Sequence, residues 1–381
     1  MITISQAEAV LKNYYLDAVV SQLNGEVSPF FNAIEKTSEN ISGGFVNMSF
    51  ANGAATGVAA LNEQDDLPSA RSYAYYGVTL PLKNIYGTLE ITDKTLRATA
   101  DSAGATINVL NAEVEGLVSV AKANFARMLY GDSDGYLCTN IGAQGSTGFQ
   151  VNSTRNFYKG LKIRVESKPE LETEIIKVDT EENIITVNSN VGTVTTFGGE
   201  KIFIKGAKGK EIIGLAGIFD GESLYGLSKE EYPHMKAYTK SCKRDDLTED
   251  EIIDVIDYLD ESCDSKAKMI LCSHKTRRQL ATLMSSSRRI VNSTDISAGF
   301  SSILINDVPV YADKFCPDDR IYILNTDDFV LCQLCDWSWL EGDGGSILKQ
   351  IPGKAAYSAT LVKYAELVCK KPCGQGLIKL T

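Results

Sequence analysis

Between Ala105 and Tyr130, apolar residues fall at Leu110, Val114, Leu117, Ala121, Phe125 and Met128, a spacing of threes and fours that puts them on one stripe of a helix. Glu113, Glu115, Lys122, Asn124 and Arg127 are expected on other faces, and Gly131 stands where a C-terminal cap belongs. At about 1.5 Å per residue this helix would run roughly 39 Å, long for a catalytic core and suited to a strut across a flat subunit. A second helix is predicted near the start. Ser5-Gln6-Ala7-Glu8 is a capping box, Val10, Leu11, Tyr14, Tyr15, Ala18, Val19 and Leu23 form its apolar face, and Gly25 stops it.

The pattern changes between Ile41 and Leu80, where glycine and alanine replace large core residues. Gly44 to Phe50 and Tyr73 to Leu80 alternate as strands do, predicting a long projecting hairpin that needs a neighbour to lie on. From Phe149 to Gly206, short alternating runs and turns recur about every ten residues, the pattern of a small inserted sandwich or barrel. Helix and strand then alternate. Thr248-Glu249-Asp250-Glu251 caps a helix to about Ser262, Met269 to Cys272 is a buried strand, and Ser273 caps a helix through Met284. Ile303 to Ile305 turns at Asn306-Asp307 into Val308 to Tyr311, Ile321 to Leu324 and Phe329 to Leu334 follow, and Tyr357 to Lys371 reads as one long strand.

Composition narrows the partners. With 38 basic against 49 acidic residues the net charge is -11, which argues against tight nucleic-acid binding, because that needs clustered cations to displace counterions. No apolar run approaches the length of a membrane span and no signal-peptide pattern opens the chain, so a cytoplasmic origin is expected. Nine cysteines, an odd number, fit free thiols in a reducing compartment.

Candidate chemistry is sparse. His234 and His274 stand 40 residues apart in no metal spacing. Cys332/Cys335 and Cys369/Cys373 invite a zinc reading, but residues three apart on a straight strand point to opposite faces. Lys208-Gly209-Lys210-Glu211 lacks the leading glycine and trailing hydroxyl of a phosphate loop. Asp132-Ser133-Asp134-Gly135 lacks the bidentate glutamate of a calcium loop. Arg288-Arg289 and Lys240 to Arg244 are basic runs without an aromatic platform. The expectation is no catalytic, cofactor or metal residue.

In order, the parts are arm helix, projecting loop, long helix, inserted β block, α/β unit and return strand. That order resembles the major capsid proteins of tailed bacteriophages with the Hong Kong 97 shell fold, an α+β class. The residues carrying the resemblance are Ser28-Pro29-Phe30-Phe31, Pro81 to Ile91, Ala126 to Asp132, Ile305-Asn306-Asp307-Val308-Pro309-Val310, Phe315-Cys316-Pro317 and Asp336 to Leu348. The resemblance implies an N-terminal arm over 1–45, an extended loop over 46–82, and a peripheral domain over 83–148, 207–244 and 346–381 with its spine helix at 105–130. It further implies a β insertion over 149–206 and an axial domain over 245–345. Pentamers and hexamers would close an icosahedral shell around double-stranded DNA, touched only weakly and non-specifically, in a virion assembled in the host bacterial cytoplasm. Portal and decoration proteins are implied partners. So is a separate scaffolding protein, since nothing long enough for a cleaved scaffold precedes the arm. No lysine lies between Lys36 and Lys83, which speaks against a loop-lysine crosslink. Two other readings stand beside this one: an encapsulin-type nanocompartment shell holding cargo protein, and an α/β enzyme with Ser273, His274 and Asp327 as its polar cluster.

Overall fold

The computed structural model describes residues 28–52, 58, 60–62, 66, 68–69, 74–94, 103–144, 147–188, 199–286, 303–342 and 346–381. The arm helix, the hairpin tip and Arg288-Arg289 fall outside them. The first elements are α1 (Pro29–Ala33), β1 (Glu35–Thr37), β2 (Ile41–Ser42), β3 (Phe45–Asn52), β4 (Ala74–Pro81), β5 (Lys83–Thr92) and α2 (Ala103–Met128). Ser28 caps α1 by accepting from the Phe30 amide at 3.3 Å, and Pro29 supplies the preset φ of a first helical turn. Phe30 and Phe31 are fully buried, standing edge-on to Phe329 and Phe125.

The long helix is α2. Val114, Val118, Phe125, Met128 and Leu129 are buried, with Leu117 and Ala121 packed beside them. Its last turn is enclosed all round, so Ala126 and Arg127 are buried as well, and Arg127 departs from its expected outward position. Gly131 is not a left-handed cap, having no positive φ. Instead the helix tightens through Tyr130 N to Arg127 O and Gly131 N to Met128 O, both 3.0 Å.

A barrel follows, formed by β6 (Tyr136–Gln144), β7 (Gly148–Val151), β8 (Lys162–Val165), β9 (Lys168–Asp179), β10 (Ile184–Val187) and β11 (Lys201–Ile204). It closes in the order β10-β7-β6-β11-β8-β9 around Phe149, Val151, Ile163, Val165, Ile175 and Ile185. The barrel thus takes in Tyr136–Gln144, which the sequence pattern leaves outside the β-rich block. That strand carries Thr139, Asn140, Gly142 and Gln144 and has little apolar alternation to read.

The remaining elements are α3 (Leu215–Asp220), β12 (Ser223–Leu224), β13 (Leu227–Ser228), β14 (Tyr238–Cys242), α4 (Glu249–Cys263), β15 (Met269–Cys272), α5 (His274–Ser286), β16 (Ile303–Ile305), β17 (Val308–Ala312), β18 (Arg320–Leu324), β19 (Phe329–Trp339), β20 (Lys349–Gln350), β21 (Ala356–Cys369) and β22 (Gly376–Leu380). Two sheets organise them. In one, β21 pairs with β5, β19 and β20, and β1 joins β19 in parallel. The other runs β14-β22-β18-β15-β17-β16, with α4 burying Ile252, Val255, Ile256 and Leu259. Asn306 and Asp307 both take positive φ in the two-residue turn between β16 and β17, as a twisted hairpin requires.

The predicted long strand is β21, and a further strand follows it. After β21 a 3-10 turn at Pro372–Gly374 sends β22 into the second sheet, parallel to β14, so the last residues tie the sheets together. β19 likewise reaches beyond Leu334 to Trp339 and lies in the first sheet. Among the described residues no helix is long and apolar enough to cross a membrane.

Candidate assembly site

The end of α2 is where helix, barrel and both sheets meet. Helix C-termini leave carbonyls without partners, and here the start of α3 supplies them. Leu215 N donates to Leu129 O at 2.8 Å, and Gly217 N donates to Gly131 O at 3.2 Å. The positive N-terminus of one helix therefore meets the negative C-terminus of the other. Glycine at 214 is what permits the approach, since a Cβ there would lie 2.3 Å from Met128 O. Beside it, the Arg127 guanidinium pairs with Glu211, with both side chains buried, and also binds Asn124 Oδ1 at 2.9 Å and Tyr136 O at 3.4 Å. Ser133 Oγ donates to Glu211 O at 2.7 Å, fixing the Asp132–Gly135 segment as a structural turn. Tyr130 Oη donates to Asp313 Oδ2 at 2.8 Å, joining α2 to the second sheet. Arg155 reaches Asp318 from the barrel at 3.0 Å.

Buried charge lies on β21 too. Lys363 Nζ donates to Asp336 Oδ1 at 2.6 Å and Gln333 Oε1 at 2.8 Å, and faces the rings of Phe125 and Trp337. Burial lowers its pKa, and Asp336 opposes that shift. Glu366 Oε1 accepts from Ile213 N at 2.7 Å and from Leu367 N at 3.1 Å, while Oε2 has no partner. Burial pushes this carboxyl up to about 7, against those bonds and the charge of Lys83. Lys83 Nζ donates to Gly209 O at 2.7 Å. None of these roles was legible from local sequence, because each depends on a partner tens of residues away.

This framework leaves apolar surface outside. The β3–β4 hairpin buries Val46, Phe50, Val78 and Leu80, with Phe50 stacked on Tyr225 and Tyr76 edge-on to Tyr232. Its opposite face and the sheet beside it expose Phe45 (46%), Tyr75 (66%), Tyr86 (57%) and Leu334 (56%). Four large side chains exposed on a rigid frame are the composition of a contact surface.

The candidate chemistry does not converge. Ser273 Oγ caps α5 at the Thr276 amide, 3.3 Å away, and His274 is exposed. Asp327 pairs with Lys268, just before β15, whereas Ser273 and His274 follow it, so roughly 13 Å of strand separates them. His234 has neither ring nitrogen hydrogen-bonded, and burial lowers its pKa. A bulge between Gln333 and Cys335 sets Cys332 opposite Glu366 and Cys335 opposite Tyr364, two apart on β21 and so on one side of the sheet, unlike a straight strand. No group of three His, Cys, Asp or Glu residues arranged for a metal occurs among the described residues. Lys240 is paired with Glu251 and Asp254, and Arg244 binds Asp318 O.

A spine helix laid on a sheet, a projecting hairpin, a second α/β sheet and exposed apolar side chains define a shell subunit of the Hong Kong 97 fold. A chain of the cyanophage A-1(L) capsid asymmetric unit matches with a TM-score of 0.54 at 11% identity, over 91% of this chain and 90% of that one. The capsid of the native GTA particle matches with a TM-score of 0.54 at 10% identity, over 93% and 91%. At such identities the likeness is one of fold. No curated protein matches by sequence. The profile described as SU10 major capsid protein matches residues 3–339, and the chain belongs to that family. It is a major capsid protein of the tailed-phage type, a structural protein of the viral capsid.

Proposed function

We propose that this subunit assembles as pentamers and hexamers into an icosahedral head around double-stranded DNA. The observation that carries this reading is the rigid junction at the end of α2 holding a hairpin and sheet face with Phe45, Tyr75, Tyr86 and Leu334 exposed. Residues 83–135, 207–237 and 329–371 form the peripheral domain around α2, 46–82 the extended loop, 245–328 the axial domain and 1–45 the arm. The barrel is the insertion between the end of α2 and α3, and β14 and β22 extend the axial sheet. A net charge of -11 keeps contacts with packaged DNA weak and non-specific, which suits filling and emptying the shell. Assembly takes place in the bacterial cytoplasm, with a scaffolding protein, a portal and decoration proteins as partners. The test is expression alone and together with a neighbouring scaffold gene product, followed by sedimentation and nuclease digestion of phage-derived particles. Fast-sedimenting shells, with nuclease-protected DNA in the phage particles, are expected. Monomers or dimers under both conditions overturn the proposal, and particles holding protein cargo without DNA favour a nanocompartment.

A further inference from the structure

We propose that Cys263 and Cys373 form an oxidant-responsive pair that closes to an intramolecular disulfide under peroxide, fastening the C-terminal strand to α4. Cys263 is the last residue of α4, and Asp264 then turns the chain in the left-handed region. The 3-10 turn Pro372–Gly374, which launches β22, is clamped from either side of Cys373 against the two residues that follow Cys263. Ser265 Oγ donates to Gly374 O at 3.0 Å, and Lys371 Nζ donates to Asp264 O at 2.9 Å. The clamp is tight, as a Cβ on Gly374 would stand 2.6 Å from Ser265 Oγ. These two bonds hold Cys373 beside Cys263, near enough for the neighbouring thiol to add to the upward shift of its own.

The other thiols contrast with this pair. Six of the nine cysteines are buried, and Cys335 is the third that solvent reaches. Burial and Cys263 together push the Cys373 thiol up to about 11, so it remains a thiol at neutral pH and acts as the resolving partner. In the first step the Cys263 thiolate attacks one oxygen of hydrogen peroxide, forming a sulfenic acid and, after protonation, one water. Cys373 sulfur then attacks the Cys263 sulfur, its proton leaves with the hydroxyl as a second water, and the S–S bond forms. Two thiols are oxidised and one peroxide is reduced. The ring so closed runs from residue 263 to 373 and crosses both sheets, a long loop whose closure restricts the unfolded chain strongly.

The test is graded hydrogen peroxide on the purified full-length chain, alkylation of the remaining thiols and mass spectrometry of a non-reducing digest. A peptide joining Cys263 to Cys373 is expected, appearing before Cys335 is oxidised, because the sulfenic acid at Cys263 has its resolving thiol alongside. The melting midpoint should rise by several degrees, on the order of 5 °C, fall back with dithiothreitol, and not move in Cys263→Ser or Cys373→Ser. The linked peptide in the natural sequence decides the matter even where a variant folds poorly. Cys263 and Cys373 recovered alkylated after Cys335 is oxidised, or oxidised to sulfinic acids without a linked peptide, would overturn the proposal.

Discussion

Replacing Glu366 by glutamine should make the subunit more stable above neutral pH and remove most of the pH dependence of its first sheet. The carboxyl is fully buried on β21, holds the Ile213 amide at 2.7 Å, and has one oxygen without a partner. Burial raises it from an ordinary 4.5 to about 7. A group raised on folding contributes its full stabilisation below the unfolded value and loses it as pH climbs through the folded value. Between pH 4.5 and 8 the natural chain should therefore lose about 3 kcal/mol, the shift of about 2.5 multiplied by about 1.4 kcal/mol per unit. Glutamine keeps an oxygen for Ile213 N and Leu367 N but carries no charge to bury. The assay is urea unfolding of the unassembled chain followed by tryptophan fluorescence. Trp337 and Trp339 lie on β19, which pairs with β21. Glu366→Gln should unfold at nearly the same urea concentration at pH 5 and be up to about 3 kcal/mol more stable at pH 8.5. Equal slopes against pH in the two proteins would mean that Glu366 is not the group that titrates.

Arg127→Met leaves Glu211 buried and unpaired, so a loss of about 3–5 kcal/mol is expected in the same assay, with Arg127→Met/Glu211→Leu recovering most of it. Gly214→Ala drives a methyl into Met128 O and Leu129 O, and a loss of about 1–3 kcal/mol or more, read as a lower melting midpoint, is expected. Arg155→Ala at the barrel's contact with Asp318 should cost under about 1 kcal/mol, because both side chains are some two-fifths exposed to screening solvent.

Elements with a strong local period were legible in the sequence. The long helix, the hairpin strands and the Asn306-Asp307 turn all follow from apolar spacing or turn chemistry. What escaped depends on tertiary closure. β6 is too polar to alternate, yet the barrel needs it between β7 and β11. β22 follows a Pro-Cys-Gly turn and reads as a tail until its partners β14 and β18 are placed. Arg127 sits at a position that looks solvated on the helix wheel, but the helix end is enclosed on all sides and Glu211 arrives from 84 residues away. The separation of Asp327 from Ser273 and His274 was equally invisible, since it follows from the direction in which β15 runs. The hairpin strands were foreseeable from their alternation, whereas their packing on Tyr225 and Tyr232 of the same subunit, and the exposed Tyr86 and Leu334, required the sheet to be built.

Assembly through this face is tested by a cryo-electron microscopy reconstruction of particles formed by the full-length chain with its scaffold. A closed icosahedral shell in which a neighbouring subunit covers Phe45, Tyr75 and the Tyr86 face of the sheet is the expected result. A population that stays monomeric or dimeric, or a shell in which these side chains all remain in solvent, would contradict it.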